Sequence, residues 1–248
     1  DRSLYFWHYN TNKQSVTLDT TTPAGRALLE QLAESDNVII DSMPPGHLDK
    51  LGLGYERIKR LAPGTVMASV TPFGQHGAYA DYSSTDLTAL AFGGPVWSCG
   101  YDDHTVPPVR GEGNQAYNTV CHYAVTAIMI ALIHRQFTGV GQYIDVNMHA
   151  AVNVTTEAAS YNWLVSRETV HRQTGRHAAI VPNDPTQVLC RDGRYVNVIL
   201  PARTEMQWSN LLAWLDEEGL LGILGEYLDP PNSTAMRRGD SDAREQQR

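Results

Sequence analysis

Short apolar runs alternate with longer segments of helical periodicity along most of this chain. Residues 15–19 alternate in the manner of a strand, and Thr22-Pro23 then supplies an N-cap and a first-turn proline for a helix. Residues 37–41 form an apolar run that ends at Pro44-Pro45-Gly46, a pattern typical of a buried parallel strand that leads into a loop. Residues 65–71 predict a third strand. This succession predicts an α/β fold with a parallel sheet.

The longest helical pattern covers residues 114–137, where Asn114 is the predicted cap and the turn Thr138-Gly139-Val140-Gly141 ends the helix. The remaining elements follow the same alternation of periods. They are a helix at residues 55–61, a helix that begins near Thr85, a strand at 143–148, a helix at 149–165, a hairpin at 188–198 around Asp192-Gly193, and a helix at 206–215.

Turn-forming residues between 175 and 187 interrupt the periodic signals and predict a domain boundary. We therefore expect a large domain at residues 1–180 and the start of a smaller second domain at residues 181–236. The final residues, 237–248, have almost no apolar side chain to bury. They are predicted to form a disordered tail or a solvated helix.

Composition argues against several classes of function. A net charge of −8 and the lack of any Lys/Arg-rich run argue against nucleic-acid binding. No segment approaches the roughly 18 consecutive apolar residues of a membrane span, so we expect no membrane partner and a cytoplasmic protein. The cysteines Cys99, Cys121 and Cys190 are odd in number and lack CxxC spacing. They predict reduced core residues rather than a disulfide framework, and the scattered histidines predict no metal site.

A set of short motifs occurs in a specific order between residues 12 and 146. The motifs are Asn12-Lys13-Gln14-Ser15-Val16-Thr17-Leu18-Asp19 with Thr22-Pro23-Ala24-Gly25-Arg26, Pro45-Gly46 through Leu51-Gly52-Leu53-Gly54-Tyr55, Phe73-Gly74-Gln75 with Gly77, and Leu132-Ile133-His134-Arg135 through Thr138-Gly139-Val140-Gly141-Gln142-Tyr143-Ile144-Asp145-Val146. Through these motifs the chain resembles the class III coenzyme A transferases (CoA-transferase family III), a family that includes formyl-CoA and carnitine CoA-transferases.

The resemblance implies a Rossmann-like large domain, a smaller second domain, and two subunits that interlock like links of a chain. Family members usually begin with a further strand–helix–strand unit, so we interpret this chain as a central fragment.

The resemblance also implies a coenzyme site at Leu18, Ser42, Met43, Lys50 and Leu51. Lys50 stands where an arginine often pairs with a phosphate, and lysine keeps the charge but loses the two-pronged hydrogen bonding. The alternative is structural: Leu18 and Leu51 as core residues, Lys50 as a solvated charge and Ser42 as a helix cap. CoA or an acyl-CoA is expected as a substrate, with no tightly bound cofactor. The family's glycine-rich active-site loop has no clear match between residues 175 and 192.

The start of the long helix is where the family keeps its nucleophile. There, a carboxylate attacks the acyl-CoA thioester, forms a mixed anhydride, and becomes an enzyme–CoA thioester that passes CoA to the acceptor acid. Counting back from Thr138 places Tyr117 at this position. A tyrosine, with an ordinary pKa of about 10, cannot form the anhydride. Glu112, five residues upstream, is a candidate substitute; the alternative is a solvated loop glutamate.

Two functional hypotheses follow. In the first, the chain is an acyl-CoA:carboxylate CoA-transferase-like protein that binds an acyl-CoA and a carboxylic acid. In the second, it is a non-catalytic partner subunit of a heteromeric CoA-transferase, so that either a homodimer or a heterodimer with a related subunit is expected. Racemisation, the chemistry of another branch of the family, is disfavoured because Thr85 and Tyr117 stand at the matching positions. A nucleotide-binding α/β protein of another kind is a third interpretation.

Overall fold

The computed structural model describes residues 3–35, 38–156, 159–182, 187–197 and 204–223. The chain divides into two compact units, residues 1–184 and 185–248. The helices are α1 (Leu4–Tyr9), α2 (Pro23–Ser35), α3 (His47–Lys50), α4 (Tyr55–Leu61), α5 (Asp86–Gly93), α6 (Pro95–Ser98), α7 (Gln115–Thr138), α8 (Met148–Val154), α9 (Ala159–Ser166) and α10 (Glu205–Glu217), with a 3₁₀ turn at Leu221–Ile223. The strands are β1 (Val38–Asp41), β2 (Val66–Thr71), β3 (Tyr143–Asn147), β4 (His171–Gln173), β5 (Arg176–Ala179), β6 (Gln187–Leu189) and β7 (Tyr195–Asn197).

A parallel sheet of three strands, in the order β1-β2-β3, forms the centre of the first unit. The register pairs Asp41 with Ser69 and Thr71 with Asn147. Because the strands are parallel, all of their carboxyl ends lie at one edge of the sheet. The mixed helix and strand content and this sheet confirm the predicted α/β fold class.

Helices cover both faces of the sheet, as the apolar character of β2 on both sides requires. Met67 packs with Ala33 of α2 and Ile58 of α4 on one face. Val70 packs against the larger cluster formed by α5, α7, α8 and β3 on the other face, where Val120 and Val152 are buried. The predicted strands at 37–41, 65–71 and 143–148 and the helix at 114–137 are confirmed within one or two residues where the structure describes them.

Helix α7 is long and rich in apolar residues. Among the described residues it is the one helix with the length and apolar composition of a membrane span, a test that core helices of soluble proteins pass as well. This test uses length and mean hydropathy, whereas the sequence-based expectation concerned consecutive apolar residues, and α7 has polar residues spread along its length. One side of α7 packs against β2 and β3.

Two predicted elements differ from the structure. Residues 15–19 are irregular and mostly exposed, not a strand, because an alternating pattern becomes a strand only where a neighbour supplies hydrogen bonds. The predicted helix at 149–165 is two helices: α8 ends at Val154 and α9 begins at Ala159. Thr155 Oγ1 and Thr156 Oγ1 bond back to the carbonyl oxygens of Val152 and Asn153 at this break.

The predictions for the cysteines and for the cap of α7 are also corrected. Cys99 and Cys121 are exposed and Cys190 is partly exposed, so none is a buried core residue. Cys121 lies on the outer side of α7, a distinction that periodicity alone did not make. Asn114 occupies the cap position, but its side chain makes no capping hydrogen bond.

The second unit contains the predicted hairpin and the predicted helix. β6 and β7 pair antiparallel, with Gly193 at φ +80° in the turn between them. α10 begins with a reciprocal cap between Thr204 and Gln207. The tail predicted at 237–248 lies outside the described residues. The assignment of the two units to a CoA-binding large domain and the start of a small domain stays a prediction.

Candidate functional site

The loops at the carboxyl edge of the sheet are held together by one glutamine. Gln75, in the loop after β2, accepts a hydrogen bond from the Gly46 N–H through Oε1 at 3.2 Å. Its own N–H donates to Asp145 Oδ2 of β3 at 2.9 Å. Gln75 therefore connects the loop after β1 to the third strand. In open α/β sheets, ligands bind at this edge.

A cleft of about 240 Å³ opens beside these loops. At its base, Ser69 is almost fully buried and its hydroxyl lies 3.5 Å from Asp41 Oδ2. Burial raises the pKa of Tyr143, which keeps its hydroxyl protonated and available as a donor. The cleft thus offers hydrogen-bonding groups from the sheet together with the imidazole side chains of His47 and His76. Its lining is Asp41, Gly46, His47, Leu48, Asp49, Gly54, Tyr55, Glu56, Met67, Ser69, Gln75, His76 and Tyr143.

Four of the predicted coenzyme contacts flank this cleft. Ser42 and Met43 directly follow β1 and are exposed, and the Met43 N–H donates to Asp41 Oδ1 at 2.9 Å. Lys50 is the exposed last residue of α3, and Leu51 follows it half-buried. None of the four lines the cleft itself, but their chain neighbours Asp41 and Asp49 do. The structure brings these four residues to one loop and one short helix, and their role in binding stays a prediction.

Leu18 lies elsewhere in the sequence, in the irregular segment before α2. It is half-buried and is not part of the cleft lining. The next residue, Asp19, accepts hydrogen bonds from the hydroxyl and the N–H of Thr21, which lower the pKa of its carboxyl group. A side chain at Gly25 would lie 1.8 Å from the Asp19 carbonyl oxygen, so the segment packs closely on the first turn of α2.

Tyr117 is the third residue of α7 and is 45% exposed. The structure shows no hydrogen bond from its hydroxyl to any described residue. Thr85, the other position matched to the racemase branch, caps α5 by accepting from the Thr88 N–H at 3.3 Å. Neither residue is thus arranged here as an acid or a base.

Glu112 lies in the loop before α7 and is exposed, as its alternative interpretation predicts. Gln115 Nε2 donates to the Glu112 carbonyl oxygen at 2.8 Å, which fixes the backbone and leaves the carboxylate in solvent. The structure shows no bond between that carboxylate and Tyr117. Its role as a substitute nucleophile stays a prediction.

A buried carboxylate at the start of α7 was missed by the sequence reasoning. Asp86 is 8% exposed, and its Oδ1 accepts from the Ala116 N–H at 2.8 Å. Its Oδ2 pairs with Arg110 Nη1 at 2.9 Å. Asp86 thus supplies the cap that Asn114 does not. Its partners lie 24 and 30 residues away along the chain, so no local signal could have found it.

A second cleft, also of about 240 Å³, opens beside the same helix end. Arg110 and Gln115 supply N–H donors and Thr119 supplies a hydroxyl, groups that can hold a carboxylate or a thioester carbonyl. Within the described part of the chain, no group of His, Cys, Asp or Glu side chains could hold a metal ion. The polar groups at the start of α7 are suited to binding and orienting a substrate through hydrogen bonds.

Comparison with known proteins gives consistent results. The model of CoA-transferase family III matches residues 1–230. The chain is 35% identical over 218 residues to the succinyl-CoA:(R)-benzylsuccinate CoA-transferase subunit BbsE of Thauera aromatica, covering 88% of this chain and 52% of the relative. It is 35% identical over 153 residues to a formyl-CoA:oxalate CoA-transferase of Streptomyces avermitilis, covering 61% of this chain and 37% of that protein.

The fold comparison agrees. A crystal structure of a CaiB/BaiF family protein from Brucella suis superposes with a TM-score of 0.68 at 28% identity, covering 90% of this chain and 57% of that one. The chain spans about half the length of these curated relatives or less, with 52% of the Thauera subunit and 37% of the Streptomyces protein. On the match over residues 1–230, the chain belongs to CoA-transferase family III.

Proposed function

We propose that this chain is part of an acyl-CoA:carboxylate CoA-transferase and that it binds CoA or an acyl-CoA at the carboxyl edge of its sheet. The observation that carries the proposal is the cleft lined by Asp41 and Asp49, the chain neighbours of Ser42 and Lys50. Its place at the ends of parallel strands is where α/β proteins bind nucleotides. Relatives named as CoA-transferases at 35% identity support the same ligand class.

The two flanking segments suit different parts of the coenzyme. Met43 is 45% exposed and offers an apolar surface to an adenine ring. Lys50 is exposed at the end of α3, where its ammonium group can approach a phosphate as a point charge.

The second substrate is a carboxylic acid, and the reaction needs no tightly bound cofactor.

Tyr117 limits what the chain does alone. The transfer chemistry needs a carboxylate that becomes an anhydride and then a thioester, and no described carboxylate is placed on α7 to do so. This observation favours a second candidate function, that of a non-catalytic partner for a related subunit that carries the aspartate. The Thauera relative, whose name includes the word subunit, supports this candidate.

The outer surface of α7 supports an assembly of that kind. Tyr117, Cys121, Val125, Met129, Ile133 and Phe137 recur every four residues, and all are exposed. We call these residues the α7 row. The row winds around the helix by about 40° at each step of four residues. An exposed apolar stripe of this length is typical of a protein–protein contact. We propose a homodimer or a heterodimer of Rossmann-like subunits in the cytoplasm, with neither a membrane nor a nucleic acid as partner.

Binding of CoA to the purified chain tests the ligand assignment. We expect isothermal titration calorimetry to show a single CoA site, and Lys50→Met to weaken CoA binding at least tenfold, because a charged hydrogen bond contributes about 1.5–3 kcal/mol. Arg60→Met is the matched control, since Arg60 is an exposed cation on α4 that does not line the cleft. No heat with CoA would overturn the proposal, and an unchanged affinity in Lys50→Met would remove Lys50 from the site.

Transfer of labelled CoA between a thioester and free acids tests the catalytic question. We expect no exchange with this chain alone, and exchange when an aspartate-bearing family subunit is added. In Tyr117→Asp, we expect an enzyme–CoA thioester that hydroxylamine converts to a hydroxamate on position 117, seen by mass spectrometry. Steady exchange by the unmodified chain alone would refute the partner role.

A further inference from the structure

The hairpin of β4 and β5 forms one wall of a separate cavity of about 350 Å³. The loop around Asp102 and His104 forms the other wall. The cavity shares no lining residue with the cleft at the carboxyl edge of the sheet. Its lining is Asp102, His104, His171, Arg172, Gln173, Ala179, Ile180 and Pro182.

Arg172 is the unusual member of this lining, because it is a cation that is only 6% exposed. Its Nη2 donates to the carbonyl oxygens of His104 at 3.3 Å and Val106 at 3.0 Å. Its Nε has no hydrogen-bond partner among the described residues. No described carboxylate pairs with it within ion-pair distance. Buried arginines are ordinarily paired with an anion. Arg172 has no such anionic partner among the described residues.

The nearest acids are held by other partners. Asp102 forms an ion pair with Arg176. Asp103 Oδ1 accepts from the N–H of Thr105 at 2.9 Å and from its hydroxyl at 2.6 Å. Asp102 is thus paired with β5 and Asp103 is bonded within its own loop, and neither carboxylate lies within ion-pair distance of Arg172.

The rest of the cavity combines donors with apolar walls. The rings of His104 and His171 stack with centroids 5.6 Å apart. His104 Nε2 lies 3.1 Å from the carbonyl oxygen of Arg172, which can only accept, so Nε2 carries a proton. Ala179 and Ile180 give the opposite side an apolar character. A purely inorganic anion would leave these walls without a contact.

We propose that this cavity binds the carboxylate group of a small organic acid, with Arg172 as the cation and with Ala179 and Ile180 against the carbon skeleton. Carboxylate and phosphate oxygens share the chemistry that a guanidinium recognises, and the apolar wall favours the carboxylate. The proposal holds whether or not the chain binds CoA at the sheet edge.

Isothermal titration calorimetry with sodium benzoate, inorganic phosphate and sodium chloride at matched ionic strength tests this site. We expect benzoate to bind more tightly than phosphate, and chloride to give no saturable heat. Arg172→Met should weaken benzoate binding at least tenfold, and the exposed Arg194→Met, which lies in the second unit, should leave it unchanged. Ala179→Leu reduces the volume of the cavity and leaves Arg172 unchanged, and it should also weaken binding at least tenfold.

Each outcome decides the proposal. Circular dichroism shows whether Arg172→Met folds; if it does not, Ala179→Leu carries the test. Benzoate binding that both cavity variants lose supports the site. Tighter binding of phosphate than of benzoate overturns the carboxylate assignment, and no saturable binding of either anion overturns the oxyanion site as a whole.

Discussion

At the scale of single residues, Asp86 connects three parts of the first unit. Its carboxylate accepts from the Ala116 N–H at the start of α7 and pairs with Arg110 in the preceding loop, while Asp86 itself begins α5. A buried carboxylate is stable only when such partners replace water. Asp86 therefore fixes the end of α7 on which Tyr117 lies.

We predict that Asp86→Ala lowers the free energy of unfolding by about 2–3 kcal/mol, because it removes two charged hydrogen bonds and leaves the Ala116 N–H without an acceptor. Urea denaturation measures the loss. Asp81→Ala is the control, since Asp81 is exposed, and should change stability by less than about 0.5 kcal/mol. Equal losses in the two variants would contradict the assigned role.

A second prediction at this scale concerns acid stability. Hydrogen bonds from the hydroxyl and the N–H of Thr105 hold the pKa of Asp103 below its ordinary value of 3.8, with a smaller contribution from His104 and Arg172. A carboxyl group whose pKa is lower in the folded state stabilises the fold above its unfolded pKa. That contribution is lost as the pH falls through the folded pKa.

Between about pH 5 and pH 2, wild type should therefore lose more stability than Asp103→Asn, which cannot titrate. Thr105→Val removes the hydroxyl and leaves the N–H, so it should give an intermediate loss. Urea midpoints measured across this range give the comparison. Identical pH profiles for wild type and Asp103→Asn would show that these hydrogen bonds do not lower the pKa of Asp103.

At the scale of elements, the sequence predicted helices and strands correctly where the spacing of apolar residues within the segment determines its structure. β2 and α7 were predicted within one residue because their apolar residues recur at strand and helix periods. Residues 15–19 have the strand period without a strand partner. The β4–β5 hairpin was missed because His171–Gln173 and Arg176–Ala179 are polar and short, and their pairing is tertiary. The Asp86 and Arg172 environments were missed for the same reason, since their partners are distant in sequence.

The close approach of the turn after α7 to the start of β2 gives a prediction for these elements. A Cβ at Gly141 would lie 2.0 Å from the Thr65 carbonyl oxygen, whereas one at Gly64 would meet its nearest neighbour at 3.5 Å. We expect Gly141→Ala to cost about 3 kcal/mol or more, because backbone must move to admit the methyl group. Gly64→Ala should cost less than about 1 kcal/mol. Guanidinium denaturation of both variants measures the difference, and equal costs would contradict the close approach.

At the scale of the whole molecule, α7 links the sheet to the outer surface of the first unit. Its inner side packs Val120, Ala124 and Ile128 into the core. Its outer side carries the α7 row, which includes Val125 at 59% exposure and Phe137 at 85%. Tyr117 begins this row, so the residue that we predict at the position of the family nucleophile also adds to the exposed apolar surface. The proposed contact and the predicted loss of the carboxylate are both consistent with the proposed role of a partner subunit.

We therefore predict that the purified chain self-associates through the α7 row, and that Val125→Glu with Met129→Glu raises the dimer dissociation constant at least tenfold. The reason is that two carboxylates would have to be buried in an apolar contact. Gln31→Glu with Ser35→Glu adds the same charge to exposed positions of α2, which covers the opposite face of the sheet from α7, and should leave association unchanged. Sedimentation velocity over a range of concentrations measures both variants, with circular dichroism to confirm equal helix content. A wild-type chain that stays monomeric at every concentration, or equal weakening by both pairs, would refute the contact.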